Sequence, residues 1–517
     1  MIDGSTPARG RETEVAAVWR AEPFARSTSH RDIRLFRIGL FVMALLGIAV
    51  IFLFPGCPEQ DSGYHLVHAR LAWQEPAYFV GVWERPLYTL LFAGPALLGF
   101  QAARCFALCI SLAVAWQTWK LARELQLERS WLIVPFLLAQ PTFFELYTDL
   151  LTEPLFALIF VIALRLHLQG WTKTGMLVAS LLPLARPEGL FLCLLWASWV
   201  FVDLWRKRSG RPAAKWLTDA LPLSLLGTGT FVWWAIALAI TGDPLFILHD
   251  WPPEWQFDIY GHGTLFSYGF RSSEFIGSLV FVAFATGLVR LLWLRKQFAL
   301  TTSWLLFFLL HSVFWAYGLF GEAGYPRYMV SVAPATAVIT LFGWNTLSDW
   351  CSRMIARPAR ALIGPSVLGL SLVLSFNYLD GLTCSRDFVA IREMVSWLKQ
   401  SGRPVRCLIW SNAMMCLADT DLPVNQVMTY SRERNLQSLQ RAPTQTLVFW
   451  DDEIGPRWFG LTSRDIEAAG FQLLRVRQYA LAGVLPRGQV DGEQLTRRVE
   501  LSLLYKPGDR VEPSGTH

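Results

Sequence analysis

Charge is scarce in this sequence. Asp, Glu, Lys and Arg together make up 17% of its 517 residues, against about 25% in an ordinary soluble domain. That excludes a soluble globular protein. No C-x-x-C pair occurs, which removes a zinc ribbon and a dithiol redox centre. Eight Cys in so long a chain exclude a disulfide scaffold. A basic face is also missing: the formal net charge of +6 is spread between apolar runs and marks no nucleic-acid surface. The first 30 residues contain no apolar run, so no cleaved leader is expected and the first span doubles as signal anchor.

What the chain has instead is apolar. Hydrophobic residues make up 53%, aromatics 14% with 24 Trp, and mean hydropathy is +0.35. With about 20 apolar residues needed per crossing, spans are expected near 34–54, 103–120, 131–148, 153–169, 174–185, 188–205, 217–240, 274–294, 300–320, 328–348 and 361–379. The stretch 86–100 is apolar but broken by Pro86 and Pro95, and reads as a re-entrant or interfacial piece.

The connecting segments alternate in charge. One set carries Arg9, Arg11, Arg20, Arg26 and Arg31, then Lys120, Arg123 and Arg129, then Lys173. It continues with Arg206, Lys207, Arg208, Arg211 and Lys215, then Arg290, Arg295 and Lys296, and ends with Arg353, Arg357 and Arg360. The opposite set is nearly free of Lys. The positive-inside rule therefore puts the tail 1–32 in the cytoplasm, and an odd number of spans leaves residues 381–517 outside. A multi-pass inner (cell) membrane protein with a periplasmic or extracellular C-terminus is expected. Cys105, Cys109 and Cys193 fall in spans, where a free Cys packs as a small hydrophobe. Cys57, Cys384, Cys407 and Cys416 fall outside, where a disulfide is permitted but spacing assigns none.

Past Tyr378 the pattern changes. Phe388, Ile391, Val395 and Leu398 share one helical face, and short β-type runs follow at 405–410, 446–450, 470–476 and 499–505. The fold class expected is an all-α polytopic bundle of about eleven spans over 33–380, with an interfacial first outer loop at 55–102. A small extracytoplasmic α/β domain would follow over 381–517.

Ionisable groups near membrane depth are costly, so their positions carry information. They gather on the outer side. The first outer loop holds Glu59, Asp61, Tyr64 and His65, followed by Glu84 and Arg85. Later turns supply Glu145, Asp149 and Glu153, then Arg186 and Glu188. The long fourth loop has His249, Asp250, Glu254, Asp258 and His262 among Trp251, Trp255 and Tyr260; the fifth has Glu322, Tyr325, Arg327 and Tyr328. Arginine holds a lipid phosphate with two parallel hydrogen bonds and stays charged. A carboxylate can take the proton of an attacking hydroxyl, and arginine can offset charge on a departing phosphate. Glycosyl transfer from a lipid-phosphate sugar fits this set.

The succession Glu59-Gln60-Asp61, ERPLY at 84–88, TDLLTEPLF at 148–156, LARPEGLF at 184–191 and YPRYMVSVAP at 325–334 resembles a known group. It is similar to the integral-membrane glycosyltransferases of the GT-C fold, particularly the dolichyl-phosphate-mannose protein mannosyltransferase and aminoarabinose transferase group. The resemblance implies that Asp61 is the catalytic base in an acidic first-loop motif and that Asp149 and Glu153 form a second acidic site. It also implies that Arg327 belongs to a late-loop motif holding lipid phosphate. Where the family carries Lys-Pro or Pro-Pro ahead of its second span, this chain has Arg85-Pro86.

The full reading is a polyprenyl-phosphate-sugar-dependent glycosyltransferase acting on a lipid, glycan or protein acceptor. Glu59 assists Asp61 or joins it in holding magnesium or manganese, since such carboxylates are hard oxygen ligands. Arg85, Arg186, Glu188, Tyr325, Arg327, Tyr328 and His65 contact substrate. Each has an ordinary alternative: loop solvation for Glu59, Asp61 and His65, snorkelling for Arg85 and Arg186, a helix-start acid for Glu153. Competing functions are a transporter or flippase for a lipid-linked glycan, which would show mid-membrane polar groups and often a repeated half, and an outer-face glycan polymerase or ligase relying on Arg271 or His262.

Overall fold

The computed structural model of the protein describes residues 30–54, 60–206, 218–252, 260–354, 357–376, 386–411, 426–428, 431–480 and 498–508. Its contacts divide the chain into two compact units. One comprises Met1–Ile51, Leu71–Ala93 and Arg104–Leu379; the other comprises Phe52–Arg70, Gly94–Ala103 and Asp380–His517.

The first unit is helical. Among the described residues six helices are long and apolar enough to cross a membrane: His30–Leu53, Phe100–Glu124, Gly189–Arg206, Thr218–Thr241, Phe298–Tyr317 and Pro326–Arg353. Shorter apolar helices run over Pro86–Leu97, Thr172–Ala185, Val280–Trp293 and Ile363–Leu374. The 12-residue helix Pro86–Leu97 rises about 18 Å, well short of a hydrocarbon core of about 30 Å, as befits the proline-broken stretch. The segment expected as a span at 131–148 is instead two short helices, Ile133–Leu138 and Pro141–Leu146. Proline causes the break: Gln140, just ahead of Pro141, is forced into extended backbone at ψ 107°.

Helices Val280–Trp293 and Ala333–Met354 touch backbone to backbone. A Cβ on Gly287 would lie 2.1 Å from the Ile339 carbonyl, and one on Gly343 would lie 1.8 Å from that of Ala283. Ala283 and Gly287, four apart on the first helix, and Gly343 on the second make this approach possible. Arg104, buried inside its helix, donates to the carbonyls of Thr148 at 3.2 Å and Ile51 at 3.3 Å. Tyr88 donates to the Leu150 carbonyl at 2.9 Å. Together these fix the acidic turn 148–153.

The second unit contains helix Gln60–Leu71 up to Arg70, helix Arg386–Gln400 and a five-stranded sheet. Its strands are β1 (Cys407–Trp410), β2 (Gln426–Val427), β3 (Thr446–Asp451), β4 (Gln472–Ala480) and β5 (Arg498–Tyr505), in spatial order β2-β1-β3-β5-β4. β1 runs parallel to β2 and β3, while β5 pairs antiparallel with β3 and β4. Every residue of β1 and β3 is buried, the signature of strands covered on both faces. Phe388, Ile391, Val395 and Leu398 are buried as their spacing requires. The helix Gln60–Leu71 meets the sheet through Tyr64, whose hydroxyl donates to the Ser411 carbonyl at 2.9 Å and whose ring lies 5.5 Å from Trp410.

Candidate functional site

Prolines position the charged side chains of the membrane unit. Arg186 precedes Pro187 and adopts extended backbone (φ −158°, ψ 137°) between the turn Leu182–Ala185 and helix Gly189–Arg206. Gly189 lets that turn fold back closely, because a Cβ there would lie 2.4 Å from the Leu182 carbonyl carbon. Glu153 opens helix Glu153–Leu168 with Pro154 beside it, where a negative charge suits the helix dipole. Arg327 follows Pro326 at the start of a 3-10 turn, Pro326–Val332. Arg85 precedes Pro86 with φ 62°, a left-handed conformation that costs a non-glycine residue about 1–2 kcal/mol.

These mouths converge. The Arg186 guanidinium is buried and reaches Glu153 Oε1 at 2.7 Å, Glu188 Oε1 at 2.8 Å and Thr152 Oγ1 at 3.2 Å. It lies over the Tyr328 ring, 5.0 Å from the centroid. Arg327 Nε is 3.9 Å from the same Glu153 oxygen, and its guanidinium stacks over Tyr325 at 4.8 Å. Arg85 is half-buried, donates to the Val82 carbonyl at 2.7 Å, and senses the charges of Glu188, Arg186 and Glu153. The segment ahead of it is clasped from outside: Asp250 accepts from Val82 N–H at 2.8 Å, and Trp233 donates to Val80 at 2.8 Å. Trp251 packs against the apolar cluster beneath, which includes Val80, Val82 and Leu184.

Electrostatics keep the centre ionised. Burial alone would raise Glu188, but the neighbouring guanidinium groups, Arg186 first and then Arg85, outweigh it and hold its carboxyl at about 2. Burial would lower Arg186, yet Glu153 and Glu188 push it above its ordinary value. Burial lowers Arg85 to about 10 against the pull of Glu188, so all three groups stay charged at neutral pH.

Behind Tyr328 lies a second polar layer. His311, fully buried in helix Phe298–Tyr317, stacks on Tyr328 at 5.1 Å and meets Glu322 Oε2 through Nδ1 at 2.9 Å. Tyr268 donates to Glu322 Oε1 and lies 3.1 Å from the Tyr325 carbonyl; its hydroxyl is raised well above its ordinary value, first by burial and then by Glu322. Arg271 pairs with Glu274 at 2.9 Å and donates to the Gly324 carbonyl at 2.8 Å.

The structure thus brings together Glu153, Arg186, Glu188, Tyr325, Arg327 and Tyr328, with Arg85 in electrostatic range. Asp149 is buried in the turn ahead of Glu153, and its Oδ1 accepts from Leu150 N–H at 2.8 Å. Asp61, half-buried in the first turn of its helix, and His65, buried one turn later, belong to the other unit. Glu59, Glu254, Trp255 and Asp258 lie outside the described residues, as do Cys57, Cys384 and Cys416, and so does the tail 1–29. Among the described residues no three His, Cys, Asp or Glu side chains gather as a metal site. The sequence reading missed His311 and Tyr268; its one available signal was a histidine inside an apolar run.

No family model matches this chain, and no curated protein does. Solved structures do share its fold. ArnT from Cupriavidus metallidurans, crystallised bound to undecaprenyl phosphate, superposes with a TM-score of 0.59 at 12% identity, covering 92% of this chain and 98% of that one. The same protein in the apo state gives 0.57 at 12% identity, over 90% and 97%. The chain has the GT-C fold, as the succession of motifs implied.

Proposed function

We propose that this protein moves a sugar from a polyprenyl-phosphate donor to an acceptor hydroxyl on the outer face of the membrane. The acceptor oxygen attacks the anomeric carbon, the bond from that carbon to the phosphate oxygen breaks, and the configuration inverts. Asp61 takes the proton of the attacking hydroxyl. The polyprenyl phosphate departs, its charge offset by Arg85, Arg186 and Arg327. The observation that carries this reading is the arginine-carboxylate cluster around Arg186. It occurs in a fold shared with ArnT, a protein crystallised with undecaprenyl phosphate. Buried ionised groups at helix starts are expensive to keep unless they serve a charged ligand.

The test uses purified protein in lipid, radiolabelled polyprenyl-phosphate hexoses and pentoses, and membranes from a strain lacking the gene. Wild type should move label into acceptor, while Asp61→Asn should lose at least about a hundredfold in rate, the scale of a missing general base. Equal transfer by both proteins would remove Asp61 from the mechanism. Running the same assay in EDTA, with magnesium or manganese added back, decides whether a divalent ion takes part through Asp61 and Glu59.

A further inference from the structure

The cluster leaves buried polar atoms unpaired, Arg186 Nε among the donors and three among the acceptors. Glu153 Oε2 and Glu188 Oε2 are buried, and no protein donor reaches either. His311 Nε2 is in the same position, on a ring with no exposed surface. The other nitrogen of that ring faces Glu322 Oε2 at 2.9 Å. A carboxylate there favours the tautomer with the proton on Nδ1, leaving Nε2 with its lone pair. Glu322 is itself held by Tyr268, so the imidazole is fixed in orientation. His311 and Arg186 both pack on the Tyr328 ring, and the imidazole lies in electrostatic range of Glu188.

Three buried acceptors without donors are costly to keep, and each is answered by a ligand that brings hydrogens. A phosphate brings none at neutral pH; a sugar ring brings one on every hydroxyl. We propose that Glu153, Glu188 and His311 form the subsite for the sugar of the donor. His311 Nε2 and the free oxygens of the two carboxylates accept from ring hydroxyls, and Arg186 spans the boundary between sugar and phosphate. Glu322 and Tyr268 are positioning residues that aim the imidazole. This inference rests on the polyprenyl-phosphate reading above.

The test compares two probes in nanodiscs: undecaprenyl phosphate, and undecaprenyl-phosphate hexoses and pentoses. Wild type should bind at least one sugar-bearing lipid about tenfold or more tighter than the bare phosphate, the scale of a buried hydrogen bond or two. His311→Asn keeps a side-chain amide near Nδ1 for Glu322 and deletes Nε2. It should erase that preference while changing the affinity for undecaprenyl phosphate less than about twofold. Should His311→Asn fail to fold, Glu322→Gln serves instead, because it keeps an oxygen for His311 Nδ1 and Tyr268 while loosening the aim of the imidazole, and it should weaken the same preference. Equal loss for both lipids would assign His311 a structural role and overturn the subsite. So would a wild type that binds bare and sugar-bearing phosphates alike, an outcome that also fits a subsite for the acceptor. Binding of neither lipid by wild type would instead sink the polyprenyl-phosphate reading itself.

Discussion

Asp451 in the C-terminal sheet and Glu153 in the membrane unit are carboxylates buried to nearly the same degree, and their oxygens are used differently. Asp451 Oδ1 accepts from the N–H groups of Glu453 and Ile454 at 2.9 and 3.1 Å, and Oδ2 from the Tyr479 hydroxyl at 3.4 Å. It starts the helix Ile454–Phe459 and ties β4 toward β3, so both oxygens serve folding. Glu153 gives Oε1 to Arg186 and Arg327 and leaves Oε2 without a protein donor. A buried acid that exists for stability is satisfied locally. One that exists for a ligand keeps capacity in reserve.

The harshest way to break this contrast is Arg186→Met. Glu153 and Glu188 would lose their common cation, and removing one partner of a buried ion pair costs about 3–5 kcal/mol. A sharply lowered unfolding midpoint in nanodiscs and loss of undecaprenyl-phosphate binding are expected. A variant that melts and binds like wild type would mean the cluster is neither structural nor functional. Asp451→Ala should cost less, about 1–3 kcal/mol in denaturant melts, from two lost backbone caps and the Tyr479 contact. Its donor affinity should stay at the wild-type value; a change as large as that of Arg186→Met would erase the distinction between the two acids.

The smallest effect is a pH signature. Glu188 has an ordinary value of 4.5 and is held at about 2 in the folded protein. Its folded value is depressed, so the stability it contributes is complete above about 4.5 and drains away as pH falls toward about 2. The unfolding midpoint should therefore decline across that window in wild type and decline less in Glu188→Gln. Parallel pH curves would show that Glu188 is not held by Arg186 in solution.

Much of this was readable from local signals. The strands β1, β3, β4 and β5 fall on the four β-type runs, and helix Arg386–Gln400 on the apolar face of Phe388, Ile391, Val395 and Leu398, because period and turn residues act over a few positions. Arg85, Glu153, Arg186 and Arg327 stood out as ionisable groups in the outer turns of an apolar chain. The two-residue strand β2 is too short to carry a period. His311 was invisible because its partners come from elsewhere: Glu322 is eleven residues on, Tyr268 is in another segment, and only packing brings them together. Arg104 hid in the same way, its role set by the carbonyls of Ile51 and Thr148.

The prolines beside Arg85, Glu153, Arg186 and Arg327 also bear on how such a chain is made. A charge in the middle of a helix is resisted when that helix partitions into lipid, by about 2.5–3.5 kcal/mol on insertion scales. Here each charge stands at a helix start, where it can remain near lipid headgroups and water while the apolar stretch behind it is inserted. In the folded protein Arg186 and Arg327 meet the carboxylate of Glu153 where these helix starts pack together. His311 is the exception, seated inside Phe298–Tyr317 and not at a helix start.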